Sequence, residues 1–96
     1  MTELKLISRR NRTFKPLVEA ALQNELRLLQ AGIRRCHQRL QQFEKEFGIS
    51  TAKFLRKYEK DELNESLEFA EWIGEHRLLE RLQEKAETLQ EIRFAN

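Results

Sequence analysis

The apolar positions in the first half of the chain repeat every seven residues. Leu22, Leu26, Leu29, Ile33, Cys36, Leu40, Phe43 and Phe47 follow one another at alternating steps of four and three, among mostly polar neighbours. A straight helix drifts off a 3.5-residue stripe, so a sustained heptad implies supercoiling against another helix. With Leu26 at position a, Ile33 and Leu40 are also a, while Leu29, Cys36 and Phe43 are d. The pattern is that of a self-association seam. An ordinary core-facing helix has the same local spacing and stands as the alternative.

Punctuation residues place the helix ends. Thr13 is a good N-cap, and Pro16 fits the first turn of a helix over about 14–47. Gly48 ends it in a left-handed conformation. Ser50 caps a short helix over about 51–60, with Ile49 and Phe54 spaced as a hydrophobic staple. That helix carries Phe54, Leu55 and Tyr58 on one side and Lys53, Arg56, Lys57 and Lys60 on the others. Asn64 or Ser66 caps a third helix over about 65–94, with a broad apolar face from Phe69 through Trp72, Ile73, His76, Leu79, Leu82, Ala86 and Leu89 to Ile92. Residues 1–12 read as a basic arm, and a strand over Glu3 to Ile7 would need a partner strand to be stable. The rest, 13–96, reads as one helical domain.

Two helices of roughly 45–50 Å joined by a compact turn lie most simply antiparallel. The fold class is therefore all-α: a long helical hairpin with a short intervening helix. A hairpin has too little interior for both faces, which predicts a dimeric four-helix bundle with helix orientation left open. Arg39 at position g would meet Glu44 at position e of a parallel partner. Gly32 and Gly74 lie inside helices, either as points of close approach or as tolerated surface residues.

Composition narrows the function classes. The chain has 96 residues with 18 basic and 16 acidic side chains, so no global charge drives it onto nucleic acid or anionic membrane. No apolar run approaches the ~20 residues of a membrane span. The sequence MTELKLISRRNR lacks an apolar export core, and the single Cys36 fits a reducing compartment, so a cytoplasmic setting is expected.

Catalysis needs convergent groups, and none stand out here. Cys36 and His37 are adjacent on a helix and point about 100° apart. Cys36 sits in the seam, where a buried inert thiol is the simpler reading. His76, one turn after Trp72, reads as a hydrogen-bonded core histidine. Neither a metal site nor a cofactor is expected, and the reading is of a protein that is not an enzyme. Phe43 to Leu55 has the outline of a helix-turn-helix, but Glu44 stands where a small residue usually lets the helices cross. Arg9, Arg10, Arg12 and Lys15 are better candidates for contact with phosphates or an acidic partner.

The stretch Phe47-Gly48-Ile49-Ser50, then Phe54, Tyr58, Glu62-Leu63, Glu65, Phe69 and Trp72, resembles a group of small prokaryotic antitoxin-like proteins. These carry a "YGMS"-like turn, a "GELGD"-like turn and a closing "FxEW". The match covers residues 43 to 76. Asp61 stands where the pattern has its first Gly, and Asn64-Glu65 where it has Gly-Asp. The resemblance implies a helical protein that binds and neutralises a small toxin-like partner, with no catalysis of its own. Phe54, Tyr58, Phe69 and Trp72 would form an aromatic cluster where the short helix meets the third: its plain reading is a mini-core fixing the turn, and its sharper one is that part of it is exposed as partner-binding anchors. The competing readings are a nucleic-acid-associating protein using the basic arm and a structural coiled-coil adaptor.

Overall fold

The structure, a computed structural model, describes residues 2–5 and 11–95. Three helices dominate: α1 over Asn11–Phe47, α2 over Thr51–Glu59 and α3 over Leu67–Gln90. The helical class and the hairpin with a short intervening helix are as expected. Two short strands join them, β1 over Thr2–Lys5 and β2 over Ile92–Ala95. They pair in parallel, with Thr2 opposite Ile92 and Lys5 opposite Ala95.

Local chemistry explains each boundary. Gly48 has φ +70 and its N–H bonds the Glu44 carbonyl at 2.8 Å, which closes α1. Ser50 accepts from the Lys53 N–H at 3.1 Å and caps α2. At the far end of α2, the Asp61 N–H donates to the Tyr58 carbonyl and the Glu62 N–H to the Lys57 carbonyl. This is a Schellman ending, and it puts Asp61 at φ +55. Of the two candidate caps for α3, Ser66 does the work, accepting from the Phe69 N–H at 3.1 Å.

Two boundaries differ from expectation. Helix α1 begins at Asn11, so Arg12 and Thr13 are helical and Pro16 lies inside the helix. So near the start, the missing proline N–H forgoes only the bond to the Arg12 carbonyl. Helix α3 ends at Gln90 instead of reaching 94. Past that point Ile92 and Phe94 alternate as a strand does. The ladder with β1 satisfies their backbone, and β2 is the partner strand that the N-terminal segment needs.

Helices α1 and α3 run antiparallel. Gly32 lies against Leu82, Phe43 against Trp72 and Phe47 against Phe69. The core sits between them and under α2: Cys36, Leu40, Phe43, Phe54, Trp72, Ile73 and Leu79 are buried. Because α3 ends at Gln90, the first turns of α1 extend past it, and there Phe14 and Leu17 are exposed.

Candidate interaction site at the helical turn

The turn end of the hairpin is built around Trp72. Its indole stacks on the Phe54 ring with centroids 3.9 Å apart and planes within 2°. Phe43 and Phe47 stack on it at 5.5 and 5.7 Å, and Phe69 tilts against Phe47 and Phe54. The Trp72 Nε1–H donates to Thr51 Oγ1 at 3.1 Å, and the Thr51 N–H donates to Glu44 Oε2 at 2.6 Å. One polar chain thus links α1, the start of α2 and the second turn of α3. Tryptophan is tolerated at full burial when its N–H finds an acceptor.

This geometry corrects the assignment of Phe54, Tyr58, Phe69 and Trp72 as partner-binding anchors. Phe54 and Trp72 have 0% exposure and Phe69 is half-buried against the core. Three of the four form the mini-core that fixes the turn. Tyr58 alone is presented outward, at 49% exposure.

The self-association seam is corrected in the same way. Leu29, Cys36, Leu40 and Phe43 are buried within the single chain, and Ile33 and Phe47 pack against the core. Leu22 and Leu26 are half-buried. The partner that the heptad requires is α3 of the same chain. The Arg39–Glu44 cross-pair is also spent: Glu44 holds the Thr51 N–H and Arg39 lies over the Phe43 ring at 5.8 Å. Glu44 is thus no defect in a helix-turn-helix; it caps α2, which the sequence pattern missed.

What the turn end presents outward is a groove of about 810 Å³ between the end of α2 and the start of α3. Tyr58, Leu63, Leu67, Phe69, Ala70 and Ile73 supply its apolar surface, and Glu59, Asp61 and Glu65 stand on its rim. Its existence depends on the Schellman ending of α2, which swings the chain away at Asp61 before α3 begins.

Cys36 and His76 have structural partners. Cys36 is 1% exposed, and burial raises its thiol pKa, helped by a hydrogen bond to Glu75 and that carboxylate's charge, with Arg35 opposing. His76 is half-buried and its Nε2 lies 3.3 Å from Glu80 one turn on. Arg9 and Arg10 lie outside the described residues, while Arg12 and Lys15 belong to the first turns of α1. Among the described residues no group of three or more His, Cys, Asp or Glu could hold a metal ion, and no helix is long and apolar enough to cross a membrane. Comparison of the chain with protein-family models, curated proteins and solved structures gives no match.

Proposed function

We propose that this chain is a non-catalytic protein-interaction module, antitoxin-like, that binds a small partner protein through the groove beside Tyr58. The groove carries the reading: it is open and largely apolar, and it presents Tyr58 and Leu67 as exposed side chains that the core does not use. It also lies within the stretch, 43 to 76, that resembles antitoxin components. Aromatic side chains at the centre of such surfaces concentrate binding energy, because they bury a large area at little conformational cost. The free thiol of Cys36 is in keeping with a reducing cytoplasm.

The groove favours a protein partner over nucleic acid. A phosphate backbone would meet Glu59, Asp61 and Glu65 on the rim, and the N-terminus of α2, an ordinary anion site, is already filled by Glu44. Co-expression with the product of the adjacent gene tests the proposal. Co-purification and rescue of growth are expected, and both are lost in Tyr58→Asp and Ala70→Asp variants that keep wild-type helicity. Undiminished capture by those two variants would remove the groove from the interface.

A further inference from the structure

The backbone around the Tyr58 groove constrains what can fill it. One wall is the end of α2, another the first two turns of α3, and the segment 61–66 joins them. No strand lines the groove, so an occupant finds no ladder to pair with. The carbonyls that end α2 are already taken: those of Tyr58 and Lys57 accept from the Asp61 and Glu62 N–H groups. A segment that buries itself here has to satisfy its own N–H and C=O groups. A helix does so, and an extended strand does not.

Charge is sorted around α2. Lys53, Arg56, Lys57 and Lys60 follow one another at i, i+3, i+4 and i+7, so they share one face of the helix. There they line a separate depression together with Glu62. Thr51 and Phe54 are buried and mark the side that faces the core, so the four cations look away from it. The groove holds no Lys or Arg: its charged residues are Glu59, Asp61 and Glu65. A body seated in it meets three carboxylates, the exposed Tyr58 and Leu67, and Ala70 between them and the buried Ile73.

We infer that the occupant is a basic amphipathic helix of the partner protein. Apolar side chains at helical spacing rest on Tyr58, Leu67 and Ala70, and flanking Lys or Arg residues meet Glu59, Asp61 and Glu65. The inference rests on the groove being a protein-binding surface and adds the chemistry of what binds. Exposure divides the labour. The three carboxylates are exposed, so each ion pair contributes little and salt screens it, while together they select the sign of the partner and speed encounter. Tyr58 and Leu67 leave water on binding and supply most of the affinity. An acidic helix with the same apolar pattern offers the same contacts to Tyr58 and Leu67 and is turned away by like charge.

Two synthetic peptides of about five helical turns test this. Both carry leucine at i, i+3, i+4 and i+7, and the remaining positions are lysine in one and glutamate in the other. In fluorescence anisotropy the lysine peptide is expected to bind the full chain and gain helical circular dichroism. The glutamate peptide should bind about tenfold more weakly or worse. Glu59→Gln/Asp61→Asn/Glu65→Gln removes the three charges, and Asn suits the left-handed backbone at position 61. This variant should bind the lysine peptide about tenfold more weakly. Tyr58→Ser at wild-type helicity should also weaken it, and a proline at the centre of the peptide should abolish binding. A lysine peptide that does not bind overturns the inference, as does one that binds the charge-neutral or Tyr58→Ser variant undiminished, or one that tolerates the proline. If both peptides bind equally and both are lost in Tyr58→Ser, the basic character is overturned while the groove stands as a binding surface. The groove itself falls only if Tyr58→Asp and Ala70→Asp capture the adjacent gene's product undiminished.

Discussion

The indole Nε1–H of Trp72 donates to the hydroxyl of Thr51, 21 residues earlier, inside a core where both are buried. Thr51 is also the first residue of α2, and its own N–H is held by Glu44. One side chain therefore anchors the start of a helix and satisfies the largest buried aromatic. Thr51→Val keeps the shape and removes the acceptor, which leaves a buried N–H unpaired. The expected cost is about 1–3 kcal/mol in urea unfolding. In the Thr51→Val/Trp72→Phe double variant that donor is gone, so the combined loss should fall short of the sum of the single losses. Strict additivity would show that the two groups do not interact.

Asp61 occupies a left-handed backbone position, φ +55, that closes the Schellman ending of α2. L-residues enter this region at a cost of about 1 kcal/mol, of which glycine is free, although glycine gives some back as unfolded-chain entropy. The antitoxin-like pattern has Gly at this position. Asp61→Gly should accordingly raise stability by about 0.5–1 kcal/mol, read as a higher urea midpoint at unchanged slope. Asp61→Val, β-branched and without a local hydrogen bond, should lose more than 1 kcal/mol.

The helices and their caps were legible in the sequence because local chemistry decides them: Gly48, Ser50 and Ser66 act within a turn of where they stand. The choice of partner was not. A heptad such as Leu26-Leu29-Ile33-Cys36 says only that some helix must lie opposite, and it reads the same whether that helix is α3 or another molecule. The aromatic cluster left two readings open for a related reason, since Phe54 and Trp72 look alike in sequence whether they form a mini-core or face a partner. The strand Ile92–Ala95 was hidden because its partner lies at the other end of the chain.

Cys36 should behave as a protected thiol. Burial, the hydrogen bond to Glu75 and its negative charge all favour the neutral form, so the folded-state pKa lies above that of the unfolded chain. The resulting stability is fully present below the ordinary thiol range of about 8.5 and is lost as pH rises through the folded value. Stability should therefore decline in alkali more steeply in the wild type than in Cys36→Ala. At pH 8, alkylation by iodoacetamide should be slower than in the unfolded chain by on the order of a hundredfold or more, because it must await opening of the helix pair. Equal rates in native and unfolding buffer would place the thiol at the surface.

The two glycines inside helices should answer differently to alanine. At Gly74 a Cβ would meet nothing within 4 Å, so Gly74→Ala gains helix propensity without a clash. The expected gain is up to about 1 kcal/mol, since glycine is that much poorer than alanine in a helix interior. At Gly32 the same methyl group would sit 3.1 Å from Leu82 Cδ1 and 3.7 Å from the Arg35 guanidinium. Leu82 would have to give way by a few tenths of an ångström, and strain of that kind in a packed interface offsets the propensity gain. Gly32→Ala should therefore fall short of Gly74→Ala by about 0.5 kcal/mol or more in urea unfolding, measured at protein concentrations low enough that association does not contribute. Equal gains at both positions would mean that α1 and α3 are not in close contact at Gly32.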